Sequence, residues 1–140
     1  MTDGAQLVAR ILISIVFVIF GFFQFTNIAG YSANPSILRF VAATGHIFSP
    51  VLIAYLVAAI DLFGGLLILA GFQTRPAAIV LMIFVALTLY FAHAFWTMEG
   101  SARAANQAHF FKNLTLIGGL LLLATLGPGR YSFDGRRARS

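Results

Sequence analysis

The stretch VLIAYLVAAIDLFGGLLILAGF, residues 51–72, decides what kind of molecule this chain forms. A helix rises ~1.5 Å per residue, so ~20 apolar residues cross a ~30 Å hydrocarbon core. The run has that length, and one ionisable residue, Asp61, stands near its centre. A charged group at mid-membrane costs ~2.5–3.5 kcal/mol on insertion scales, so it normally faces the interior of a bundle and meets a polar partner there. Asp61 is therefore the first candidate for function, as a proton-handling or orienting carboxylate. The competing reading is structural: an interhelical hydrogen bond worth ~0.6–2 kcal/mol.

Three further apolar runs surround this one, at about residues 7–25, 77–96 and 110–126. Every backbone polar group in a bilayer must be satisfied within its own segment, which selects helices. Barrel strands would alternate polar and apolar residues, and no such alternation occurs here. The second and third runs are joined by Gln73-Thr74-Arg75-Pro76, a link short enough to make them antiparallel neighbours. Pro76 suits the first turn of the third helix. Gly127-Pro128-Gly129 ends the fourth. The mixed segment 27–50 reads as an external loop carrying a short interfacial helix from Pro35 to Ala43. The expected fold is all-α: an integral membrane four-helix bundle, with residues 1–140 as one domain.

Composition supports the bilayer as solvent. The chain is 60% hydrophobic and only 9% charged, against roughly 25% charged in soluble domains. The net charge is +5, yet the basic residues flank apolar runs and form no aromatic-interleaved stripe. Nucleic acid is therefore not an expected partner. The absence of cysteine excludes dithiol chemistry, thiolate-held zinc and cysteine-ligated iron–sulfur clusters. The first run reads as an uncleaved helix, because Asp3 precedes Arg10 and no clean small-x-small cleavage site follows. Four crossings place Arg10, Arg75, Arg130, Arg136, Arg137 and Arg139 on one side, against Arg39, Arg103 and Lys112 on the other. The richer side is expected in the cytoplasm, with both termini, and residues 130–140 as a solvated anchor.

If the ends of the runs mark the membrane faces, Gln24, His93, Lys112 and Asn113 lie within a turn of the outer face. Asp61 then lies ~15 Å deeper. Such a set suits a polar headgroup: a quinone carbonyl needs a hydrogen-bond donor, which His93, Lys112 or Asn113 supplies, while Trp96 packs on the ring. For Lys112, snorkelling to the interface competes. Haem held by His93 and His109 is disfavoured because both lie at the outer edge, in adjacent helix ends, and a metal held by these and Glu99 because no i,i+4 ligand pair shares a helix face. Gly64 and Gly65, on the face of Asp61, and Gly118 and Gly119 read as close helix-packing positions. The two Gly-Gly-Leu-Leu segments are also a faint internal echo.

These residues together resemble a family. Leu7-Val8-Ala9-Arg10 and Gly21-Phe22-Phe23 in the first helix are similar to elements of the DoxX family. So are Asp61 through Gly64-Gly65-Leu66-Leu67 to Gly71-Phe72-Gln73-Thr74-Arg75, and His93 to Trp96. Phe111-Lys112-Asn113-Leu114 and the ending Gly127-Pro128-Gly129-Arg130-Tyr131-Ser132-Phe133-Asp134 complete the pattern. The resemblance implies a four-helix protein of the bacterial cytoplasmic membrane. It also implies an accessory or quinone-interacting subunit of a membrane redox system, at most an oxidoreductase subunit, with other membrane or redox proteins as partners. Two positions depart from the family pattern: Asp61 replaces a glutamate and Gln24 replaces a lysine, which removes a cation. A membrane scaffold, or a small transporter or lipid-binding protein, is the alternative.

Overall fold

Four long helices carry the architecture: α1 (Asp3–Thr26), α4 (Pro50–Ala70), α5 (Thr74–Phe91) and α6 (Gly100–Leu126). Each is long and apolar enough to cross a membrane. Between α1 and α4 lie two short helices, α2 (Ile28–Ser32) and α3 (Pro35–Ala43), and α7 (Phe133–Arg137) follows α6. These elements come from a computed structural model, which describes residues 3–137. No strand occurs among the described residues.

The helix boundaries follow local chemistry. Ser49 caps α4 through Leu52 N (3.2 Å), with Pro50 in the first turn. Gly71, at φ 69°, closes α4 in the left-handed conformation that a side chain resists. Asn34 caps α3 through Ser36 N (2.9 Å), so the interfacial helix occupies the residues expected of it. Two expected boundaries move. The third helix, expected over 77–96, starts at Thr74 and stops at Phe91. Residues Phe95–Thr97 then form a 3₁₀ turn, held by Phe95 and Trp96 packing on Phe110 at ring separations of 5.4 and 6.0 Å. Those residues are still apolar, so hydropathy does not register the end of the helix. The fourth helix, expected over 110–126, begins ten residues earlier at Gly100. The alanine-rich 101–105 segment propagates a helix without being apolar enough to stand out.

Helix α1 packs most closely on α4. A Cβ built on Gly21 would collide with the Leu62 backbone, and one on Gly65 would lie 2.9 Å from Val18 N and from Phe17 Cβ. Small residues thus let the two backbones touch, the usual source of helix association in lipid. A Cβ built on Gly64 would lie 3.0 Å from the Leu81 side chain of α5 and one on Gly119 3.2 Å from Ile13 of α1, whereas one on Gly118 would meet nothing within 4 Å. Close packing therefore does not explain Gly118, whose position opens away from the rest of the chain. The main core joins Phe17, Ile68, Leu81, Val85 and Leu120 from all four long helices. A second cluster seats Ile37 and Val41 of α3 on Ile53 of α4.

That second cluster changes the depth scale. Gly21 is level with Leu62, so α1 ends only about a turn and a half beyond Asp61, while α4 continues for roughly three turns. Helices α2 and α3 fill the space above α1 and pack on α4. The ends of the apolar runs do not share one plane, and Gln24 does not lie a helix-length above Asp61.

Candidate functional site: a cavity that reaches Asp61

The two ends of the bundle differ. At one, the terminal end, the N-terminal part of α1, the turn from α4 to α5, and residues 127–137 come together. Arg10 is buried there, 2% exposed. Its Nη1 donates to Pro128 O (2.8 Å) and its Nη2 to Tyr131 O (2.6 Å). Asp134 accepts from Gln73 N (3.0 Å), Thr74 N (2.9 Å) and Thr74 Oγ1 (3.0 Å). Gln73 makes no side-chain cap of its own, so a carboxylate sixty residues away supplies the missing N-cap and meets the positive end of the α5 dipole. Gly71 has no room for a Cβ, which would collide with Ser132 Cβ and lie 2.6 Å from Arg10 Nη1. The segment expected to be a solvated anchor is thus folded in as far as Asp134, with Ser132 buried at 3%. Arg139 lies outside the described residues.

At the other, distal end, a cavity of about 1050 Å³ opens among α1, α3, α4, α5 and α6. α1 and α6 approach at Ile13 and Gly119. Further out, Phe20 and Gln24 on α1 and Lys112, Asn113 and Leu116 on α6 line the cavity instead of meeting. Its walls are mostly apolar, from Phe17, Ile60, Phe84, Val85 and their neighbours.

Asp61 is set into this wall, 6% exposed. Gln24 is the polar side chain that acts on it, and no lysine or arginine pairs with it among the described residues. Gln24 Oε1 is buried and has no partner of its own. Tyr31, from α2, lines the same cavity. Burial, with the nearby Asp61 charge, pushes its phenol up to about 12, so it stays a neutral O–H donor. Asp61, Gln24 and Tyr31 thus form a polar group at the inner part of an apolar cavity. Sequence reasoning missed Tyr31; the signal available was an aromatic with a hydroxyl one turn past Asn27, in a loop assigned to the interface.

The distal rim collects the other polar residues. His93 Nδ1 lies 3.0 Å from Asn106 Oδ1, and Lys112 Nζ lies 3.2 Å from His109 Nδ1. The two imidazoles stack with centroids 5.2 Å apart. Arg39, His93, Asn106, His109, Lys112 and Asn113 all line the cavity. Trp96 does not; it is 51% exposed and packs on Phe95 and Phe110. The structure therefore brings Gln24 to Asp61, places His93, Lys112 and Asn113 on the rim of the same cavity, and leaves Trp96 outside. No cluster of three or more potential metal ligands among His, Cys, Asp and Glu occurs among the described residues.

Four apolar crossings, a buried carboxylate and a one-ended cavity define a small multi-pass membrane protein. The DoxX family model matches residues 5–94, and the chain belongs to that family. Inner membrane protein YqjF of Escherichia coli is 38% identical over 134 residues, covering 96% of this chain and 92% of the relative. Inner membrane protein YphA of the same organism is 34% identical over 130 residues, covering 93% and 88%. A Surfeit locus protein 4 homolog of Drosophila melanogaster is 32% identical over 79 residues, 53% of this chain but 29% of that protein. No solved structure matches. With such relatives and four membrane-length helices, the chain is a DoxX-family inner membrane protein.

Proposed function

We propose that the protein binds a quinone in the distal cavity and serves as an accessory subunit of a membrane redox system. The observation that carries this reading is the cavity itself: apolar walls that end on Asp61, Gln24 and Tyr31. A quinone is a flat apolar ring with two carbonyl acceptors and an isoprenoid tail. It needs one or two donors in an otherwise apolar slot. Tyr31 and the Gln24 amide are donors of that kind, and a cavity of about 1050 Å³ has room for the ring and part of a tail. Bound there, a quinone would supply the electron chemistry. The chain's own residues orient the ring, exclude water and, at Asp61, hold a carboxyl able to exchange a proton with a carbonyl oxygen.

Orientation and partners belong to the same proposal. Arg10, Arg75, Arg130 and Arg136 gather at the terminal end, so both termini face the cytoplasm by the charge rule, and the cavity opens toward the outer leaflet. Other membrane or redox proteins would deliver or remove the electrons. Binding is preferred over transport because none of the residues at the terminal end lines the cavity. The test is extraction of the detergent-purified protein and identification of retained quinone. Wild type retains it, and Asp61→Asn, equally well inserted, retains at least roughly tenfold less. Equal retention by both proteins would remove Asp61 from the site.

A further inference from the structure

We propose that the distal rim of the cavity is a headgroup clamp for an anionic phospholipid, with Arg39 and Lys112 as its cationic contacts. The cavity is the one proposed to admit a quinone, but the inference rests on the rim alone. The protons on the rim can be placed. Asn106 Nδ2 donates to Ala102 O (2.9 Å), which leaves Oδ1 as the acceptor, so His93 Nδ1 carries a hydrogen. Lys112 can only donate, so His109 Nδ1 accepts from it and the His109 proton sits on Nε2. Lys112 keeps two further N–H donors, His109 keeps one, and Arg39 adds a planar fork. Donors therefore outnumber acceptors along this rim.

The charge balance points the same way. Asp61 is the sole carboxylate lining the cavity among the described residues, and it is engaged with Gln24; Glu99 does not line the cavity. Two fixed positive charges thus stand at the mouth of an apolar cavity without an acid opposite them. A phosphodiester matches both, as a bidentate partner for a guanidinium and a point charge for an ammonium.

The walls select a lipid over a free anion. Phe20, Leu56 and Leu87 line the cavity yet are 56%, 50% and 50% exposed. The cavity surface is therefore continuous with the lipid-facing surface of α1, α4 and α5. An acyl chain can lie along these side chains while its phosphate stays at the rim. Exposed Trp96 and Tyr90 sit at the same end, where aromatic side chains mark headgroup depth.

The test is native mass spectrometry of the full chain, in detergent, titrated with dioleoylphosphatidylglycerol or dioleoylphosphatidylcholine. The anionic lipid is retained at least roughly tenfold better. The double variant Arg39→Gln/Lys112→Gln loses that preference, and Arg39→Lys/Lys112→Arg keeps most of it. Both residues are exposed, so neither variant disturbs the core. Asp61→Asn, which removes quinone retention in the preceding proposal, leaves the lipid preference intact. Equal retention of the two lipids, or an undiminished preference in the double glutamine variant, overturns the clamp. So does inorganic phosphate that competes as well as the lipid, which would mark a free-anion site.

Discussion

Two charged residues are buried among the described residues of this bundle, and their surroundings are opposite. Arg10, at the terminal end, donates to two carbonyls of the C-terminal segment and lies near the Asp134 carboxylate, which caps α5. Asp61, at the distal end, has the Gln24 amide and a cavity. Arg10 holds two segments together through both terminal guanidinium nitrogens, although its buried Nε finds no partner. A buried charge left open to a cavity adds nothing comparable to stability and is placed for something that enters. The terminal end is thus a lock and the distal end a site, although the sequence shows one charged residue inside an apolar run in each case.

The largest expected effect lies in the lock. Arg10→Ala leaves the Pro128 and Tyr131 carbonyls without their donors and removes the cation near Asp134, and should cost ~3–5 kcal/mol, read as a lower midpoint in denaturant or thermal unfolding of the detergent-solubilised protein. A midpoint unchanged from wild type would make the lock decorative. Gly65→Leu comes next, because its side chain must displace the α1 backbone at Val18. A loss of ~1–3 kcal/mol, or failure to insert, is expected, and Gly64→Ala should cost less because its Cβ meets the Leu81 side chain at 3.0 Å and no backbone. Asp61→Asn keeps shape and hydrogen-bonding capacity, so its unfolding midpoint should shift by less than ~1 kcal/mol while quinone retention falls. A large stability loss there would turn Asp61 into a second lock. Gly118→Ala faces open space and should stay within ~0.5 kcal/mol of wild type. A clear loss at that position would signal a partner packed on α6.

Much of the fold was legible because bilayer crossing is a requirement on length and polarity, and both are written in the sequence. The four crossings, the short α4–α5 turn and the Pro35–Ala43 helix follow from runs, prolines and caps that act locally. Depth was not legible. Hydropathy measures how apolar a segment is, and it cannot tell that α1 meets α4 with Gly21 against Leu62, which sets Gln24 near Asp61, or that α2 folds beside α4 and puts Tyr31 on the same cavity. The bond from Asp134 to Thr74 spans sixty positions, and no local pattern announces it. The tail's arginines suggested a solvated anchor, yet Ser132 and Asp134 among them tie the segment down. The rim residues His93, Lys112 and Asn113 were identifiable as polar groups ending apolar runs. Trp96 was selected by the same logic, but the 3₁₀ turn after α5 directs it elsewhere.

The central claim is that the space around Asp61 receives a ligand, and one measurement reaches it most directly. The wild-type protein is treated with an apolar carbodiimide, which reacts with carboxyls accessible from the hydrocarbon phase, and the modified residue is located by peptide mass spectrometry with and without added short-chain quinone. The account predicts modification at Asp61 that quinone suppresses in a saturable manner. Modification of Asp61 that is indifferent to quinone at every concentration, or an Asp61 that never reacts, would contradict it.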